Sequence, residues 1–179
     1  RSFGSDFVSH GRGVGPPKKR GSKLASVARW PPISPELIVA AYCQGIFPMA
    51  DDRGRIGWYS PDPRAVFPLE PGAFHVPHSL QKTIRHRVFE VTVDRAFGEV
   101  MRGCADRDPT WINDDILKHY GALHEKGLCH SVEAWQEGRL AGGLYGVSLG
   151  GAFMGESMFT RVTDASKVCL VFLVEHLRE

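Results

Sequence analysis

From His130 onward the apolar residues change period, and that change decides what this chain folds into. Before it, apolar side chains recur at helical spacing; after it they alternate through Ser131 to Gln136 and again from Arg139. Glu137-Gly138 between these runs is a tight hairpin signal, and Gly150-Gly151 marks a second strand pair. The expected product is an antiparallel meander. Asp164 then stands where it would cap a last helix, in which Val168 to Val174 is apolar all round, as in a helix covered on more than one side. Helices before and after a mostly antiparallel sheet make an α+β domain.

The segments before the sheet carry their own start and stop signals. Ser34-Pro35 supplies a hydroxyl N-cap followed by proline at the first helical position, and Leu37, Ile38, Ala41 and Tyr42 form a stripe that ends at Gly45. Residues 46 to 72 hold five prolines with repeated Gly and Asp, which predicts turns and short extended pieces around a stiff Ser60-Pro61-Asp62-Pro63 corner. A short helix from Ser79 to His86 leads into a strand where Phe89, Val91 and Val93 alternate with Glu90, Thr92 and Asp94. Asp94 is expected to cap the next helix, whose Phe97, Val100, Met101 and Cys104 share one face. Asn113 caps another, with Ile116, Leu117, Tyr120 and Leu123 inward and Gly127 at its stop.

A chain of 179 residues with 42% hydrophobic content fits one domain, or one plus a small appendage, and excludes collagen-like, mucin-like and wholly disordered classes. The longest uncharged segment, Leu140 to Gly155, holds six glycines in 16 residues, so no membrane helix and no membrane partner are expected. Cys43, Cys104, Cys129 and Cys169 are scattered, which points to reduced thiols in a cytoplasmic setting, and neither they nor the histidines show metal spacing. The formal charge of +2 divides unevenly: residues 1 to 29 set seven basic side chains against Asp6, leaving the remainder at −4. Residues 1 to 30 therefore read as a flexible basic arm, with a transit-peptide remnant of an organellar protein or a nucleic-acid contact as alternatives. Residues 31 to 72 read as a small N-terminal domain and 73 to 179 as the main one. A start at Arg1 and a stop inside an apolar helical pattern suggest a piece of a longer product.

Several residues are placed to carry chemistry. Trp58 and Tyr59 beside the proline corner, and Trp111 before the Asn113 helix, are rings on turns that can stack on a base or serve as core anchors. Lys82, Arg85 and Arg87 form a basic run suited to a phosphate backbone or to a solvated helix face. The glycine-rich stretch 142 to 151 lacks both the dinucleotide and the Walker pattern, and strand bulges or close backbone approach explain it better. Glu156 is a lone carboxylate among Phe153, Met154, Met158 and Phe159, so it needs a partner, either Arg161 or Lys167 or a donor on a ligand. Ser157 lacks a nucleophile-elbow pattern.

Taken together, the literal strings resemble one family. ISPELIVAAYCQGIFP (Ile33 to Pro48), WYSPDPRAV (Trp58 to Val66), VTVDRAF within Phe89 to Ala105, Thr110-Trp111-Ile112, HSVEAWQEGRLAGGLYGVSLG, GESMF and Asp164 to Lys167 follow in order at the spacing of the leucyl/phenylalanyl-tRNA–protein transferases. The resemblance implies a largely antiparallel N-acetyltransferase-like (GNAT) domain preceded by a small N-terminal domain. It implies an enzyme of the N-end rule pathway that moves leucine or phenylalanine, or alternatively methionine, from charged tRNA to proteins beginning with Arg or Lys, marking them for degradation. Aminolysis of an activated ester needs positioning and one proton acceptor, so neither cofactor nor metal is implied.

By position in the family pattern, Trp111 with Trp58 and Tyr59 would hold the terminal adenosine, Tyr59 standing where a second tryptophan is usual. Leu144, Phe153 and Leu170 would shape the pocket for the transferred side chain. Glu156 would hydrogen-bond an amino group beside the reacting atoms, with Tyr120 in the same cleft, and Lys82, Arg85 and Arg87 would meet the acceptor stem. The usual Gly-Gly-Asp-Leu-Ser string is replaced by Arg29 to Ser34, and the L-I-D-C-Q strand that carries the proposed Asp/Gln relay is expected after residue 179, so this piece is expected to be weakly active or inactive. A non-catalytic aminoacyl-tRNA-binding module is the rival reading. An acyl-CoA acetyltransferase would need a pyrophosphate loop that the sequence does not contain.

Overall fold

A computed structural model describes residues 32–179; the basic arm expected over residues 1 to 30 lies outside them. The first helix, α1 (Pro35–Tyr42), starts where Ser34 accepts a hydrogen bond from the Leu37 amide at 3.2 Å. A hairpin follows, β1 (Phe47–Ala50) paired antiparallel with β2 (Ile56–Tyr59). This pairing sits inside the proline-rich stretch, where only short extended pieces were expected.

The main sheet is antiparallel in the order β3 (Glu90–Val93), β4 (Cys129–Gln136), β5 (Arg139–Leu149), β6 (Ala152–Thr160). Glu137 and Gly138 both take positive φ, 51° and 71°, the backbone a two-residue hairpin turn needs between β4 and β5. Helices α3 (Phe97–Ala105) and α4 (Asp114–Glu125), with α1, cover one face; α5 (Ala165–His176), with α2 (His78–Arg85), covers the other. The sheet is therefore a partition between two cores. Ile38, Tyr42, Phe97, Val100, Met101, Ile116, Tyr120 and Tyr145 fill the first, and Leu80, Val132, Ala141, Leu144, Val168, Cys169 and Val171 fill the second. Among the described residues no helix is long and apolar enough to cross a membrane.

Two expected caps are not made, because each side chain pairs elsewhere. Asp94 does not cap α3: one of its oxygens takes His130 Nδ1 at 2.7 Å and the other accepts from the Ser131 amide at 2.9 Å. The carboxylate at the start of α3 is Glu133 of β4, which accepts from the Arg95 and Ala96 amides, from Thr92 Oγ1 at 2.6 Å and from Ser131 Oγ at 2.5 Å. Asp164 stands at the N-cap position of α5, but its side chain makes no cap bond and instead pairs with Lys167 Nζ at 2.8 Å. Asn113 does cap α4, accepting from the Ile116 amide at 3.0 Å.

Candidate functional site

The pairing of β5 with β6 slips at one point. Tyr145 lies opposite Ser157 and Gly146 opposite Gly155, so Glu156 is an extra residue, a β-bulge. Bulges re-aim side chains, and here the aim is visible in the neighbours of Glu156. They are Tyr42 of α1, Tyr120 of α4 and Tyr145 of β5, all on the face covered by α1, α3 and α4. Gly146 permits the bulge. A Cβ there would press into the Met154 carbonyl oxygen and the Phe153 ring. Gly146→Ala is accordingly expected to cost about 1–3 kcal/mol by overpacking, and a urea titration would register it.

Glu156 is half-buried, and loss of water around its carboxyl pushes its pKa up to about 7, against the smaller opposing effects of the Tyr42 hydroxyl, a hydrogen-bond donor to it, and the Arg64 guanidinium. A carboxyl poised there exchanges protons readily near neutral pH. Its expected partners Arg161 and Lys167 are engaged elsewhere. Arg161 lies 5.0 Å from the centre of the Phe159 ring and donates to the Leu140 carbonyl, while Lys167 holds Asp164. The nearby cation is Arg64, which also donates to the Gly45 carbonyl and lies over the Phe47 ring.

The Tyr42 and Tyr120 hydroxyls meet at 2.7 Å, and burial raises both phenol pKa values. Tyr120 is 0% exposed, so it reaches Glu156 through Tyr42 and offers no surface of its own to an open cleft. Leu144, Phe153 and Leu170 belong to the core on the α5 side. The sheet thus separates them from the phenols, with Phe153 and Glu156 both on β6, the last strand of the described sheet.

Alternation along β2 sends Trp58 and Tyr59 to opposite faces of the hairpin, so one flat ligand does not stack on both. Tyr59 is 40% exposed, lies over Gly57 and stacks on Phe47 at 6.5 Å. Trp58 lines a cavity of about 480 Å³ with Pro32, Ile33, Ile56, Asp115, Lys118 and His119. Trp111, half-buried before α4, packs on the first core and is tied to β1 by the Ala50 amide, which donates to its carbonyl at 3.1 Å. Lys82 and Arg85 end α2 and Arg87 follows it; all three are exposed and none forms an ion pair among the described residues.

The thiols stay out of this chemistry: burial pushes Cys104 and Cys169 up to about 12 and raises Cys129 further, and Cys43 is the exposed residue that follows α1. Among the described residues no group of His, Cys, Asp and Glu is arranged to hold a metal ion. The glycine-rich stretch forms β5 and its turn into β6. Tyr42, Arg64 and Tyr145 are the members of the site that sequence reasoning missed. The one trace of the bulge is the odd spacing of Phe153 and Met158, five residues apart yet on one face, which is readable only once the register is known.

Comparison with known proteins supplies the last observation. Residues 68–179 match the family model described as leucyl/phenylalanyl-tRNA protein transferase, and residues 32–62 match the model of that protein's N-terminal domain. A protein named leucyl/phenylalanyl-tRNA–protein transferase from Salinibacter ruber is 58% identical over 147 residues, which is 82% of this chain and 64% of the relative. Proteins of the same name from Herpetosiphon aurantiacus and Rubrobacter xylanophilus are 56% and 59% identical, again over 82% of this chain and over 75% and 76% of their own lengths. The chain thus spans about two thirds to three quarters of these relatives.

Proposed function

The chain belongs to the leucyl/phenylalanyl-tRNA protein transferase family, and from that premise we propose that it serves to transfer leucine or phenylalanine from aminoacyl-tRNA to the α-amino group of proteins beginning with Arg or Lys. The observation that carries the mechanism is the bulged Glu156, a carboxyl at about 7 among three phenols and next to the end of the sheet. The acceptor's α-ammonium gives a proton to Glu156 and its nitrogen then attacks the ester carbonyl. The C–N bond forms and the ester C–O bond breaks; the tRNA ribose oxygen leaves with the proton that Glu156 returns, and the nitrogen's second surplus proton passes to the Glu156 carboxylate so freed and from it to water. No covalent enzyme intermediate is required.

On this reading Leu144, Phe153 and Leu170 accept the transferred side chain, and such a pocket separates leucine from a side chain one methylene different by only about 1–3 kcal/mol. Trp111 stacks on the terminal adenosine, with either Trp58 or Tyr59, on their separate faces, supporting the adjoining tRNA. Lys82, Arg85 and Arg87 contact phosphates, which makes binding weaken as salt rises. The four-stranded sheet with helices on both faces fits an N-acetyltransferase-like architecture, and a cytoplasmic setting, where charged tRNA and new N-termini meet, suits the reaction.

The test is transfer of labelled leucine and phenylalanine from charged tRNA to a protein with an N-terminal arginine, using this chain and one extended at its C-terminus to the length of its relatives. Product from the extended chain supports the proposal; tRNA binding without product from either would favour the non-catalytic module. Trp111→Ala is expected to weaken tRNA binding by about 1–3 kcal/mol, the worth of one stacked base. Trp135→Ala should leave binding intact, because Trp135 is used inside the fold, donating to Thr92 Oγ1 at 2.8 Å beneath the Arg95 guanidinium. Equal loss in the two variants at matched folding would remove the stacking role.

A further inference from the structure

Among the described residues one buried side-chain polar atom has no hydrogen-bond partner, the hydroxyl of Tyr145. Its side chain is 0% exposed, and its ring stands edge-on to both Phe97 and Tyr120 at 5.9 Å. A phenylalanine would keep both ring contacts. An unpaired hydroxyl in a core is a cost to folding, so packing alone favours phenylalanine at this position. What the hydroxyl has is its place: Tyr145 is the residue opposite the bulge, and the charged group it faces is Glu156.

We propose that Tyr145 is a positioning residue of the transfer site, whose hydroxyl is the second donor, beside Tyr42, that receives the Glu156 carboxylate whenever it is ionised. The inference rests on the reading of Glu156 as the proton acceptor. A carboxylate has two oxygens and room for several donors, and a half-buried one with a single donor is poorly held. Tyr42 approaches from α1 and is itself tied to Tyr120. Tyr145 lies on the neighbouring strand, so a small turn of the carboxyl at a bulge, where the ladder is already interrupted, is what the contact requires. With both phenols bound, the carboxylate is held at the acceptor amine; on taking the amine's proton it releases Tyr145. The O–H bond formed on Glu156 replaces the N–H bond broken on the amine, and nothing is oxidised or reduced.

The groups facing Glu156 are few, which makes the effect measurable. They are Tyr42 from α1, Tyr120 from α4, Tyr145 from β5, Cys129 from β4 and Arg64 from the segment after β2, with Cys104 of α3 facing Tyr145 itself. Arg64 is the one guanidinium among them.

The experiment is a carbon-13 titration of the Glu156 carboxyl in the 179-residue chain, with Glu156→Gln identifying the resonance, before and after Tyr145→Phe. Loss of the donor should raise the midpoint by about one pH unit, a tenfold change in the ionisation constant. Thermal stability of the variant should match or exceed that of the unaltered chain at about pH 5, where the carboxyl is protonated, and lose that advantage above the midpoint. An unchanged midpoint, with the same stability gain on both sides of it, makes Tyr145 a plain core ring and overturns the proposal. Should Tyr145→Phe not fold, 3-fluorotyrosine at this position keeps the shape and donates more strongly; it should lower the midpoint, and no movement overturns the proposal equally. A Glu156 that titrates in the ordinary carboxylate range in the unaltered chain would overturn the premise instead, a different result from either variant failing.

Discussion

Glu133→Ala is expected to destabilise the fold by about 3–5 kcal/mol, lowering the melting temperature by roughly 10 °C or more. Glu133 is 0% exposed, and four donors converge on its carboxyl: two hydroxyls, Thr92 and Ser131, and two backbone amides, Arg95 and Ala96. The amides lie at the start of α3, which has no side-chain cap of its own, so the carboxylate also meets the positive end of that helix. Alanine would leave all of these donors in a site closed to water. The hydroxyls can turn to other acceptors, but the amides cannot. Glu133→Gln keeps the shape and one acceptor oxygen, and it should cost distinctly less. Thermal and urea unfolding of the two variants would check this, and an alanine variant within about 1 kcal/mol of the unaltered chain would show that the donors find other partners.

The same residue explains why part of the fold was legible in the sequence and part was not. Ser34 and Asn113 cap helices whose amides are three residues away, so the local pattern sufficed, and each makes the bond expected of it. Asp94 and Asp164 carry the same side-chain chemistry at equally plausible positions, yet the first is drawn to His130 and Ser131 of a neighbouring strand and the second to Lys167. For Asp94 the competition comes from partners distant in sequence, invisible to a pattern that looks only a few residues ahead; for Asp164 it comes from a lysine three residues on, within that window, which a cap pattern leaves unweighed. The β4–β5 hairpin was readable because Glu137-Gly138 needs a left-handed backbone, whereas the β1–β2 pairing was hidden among prolines.

The site divides in the same way. Glu156 stood out in the sequence because a carboxylate among apolar residues demands a partner, but the partners proved to be Tyr42 and Arg64, far along the chain, rather than the adjacent cations. Trp58 and Tyr59 looked like a pair because they are neighbours in sequence. In a strand that same adjacency sends them to opposite faces.

Glu156→Gln is expected to lower transfer about a hundredfold, within the range for removal of a proton acceptor, and to flatten two pH curves at once. With Glu156 acting as the base, the rate for the unaltered enzyme rises with pH until the carboxyl is ionised, near 7, and then levels. Gln neither gains nor loses a proton, so its residual rate lacks that step. Stability follows with a sign that can be worked out. Desolvation holds the folded carboxyl at about 7 against 4.5 for an unhindered one, so between those values the folded chain keeps a proton that the unfolded chain has released. Stability is therefore greatest below that window and falls as pH rises through it. Each pH unit of the window is worth about 1.4 kcal/mol, and water reaching the half-buried carboxyl screens part of this, leaving an expected loss of about 1–2 kcal/mol. Asp51, held at about 2 by Arg55, acts below the window, and histidines common to both chains cancel in the comparison. The Gln variant should lose the slope and become the more stable chain above about pH 7. Transfer reduced with the slope intact would mean that another group titrates there; a slope abolished with transfer unchanged would leave Glu156 a titrating residue with no part in the reaction.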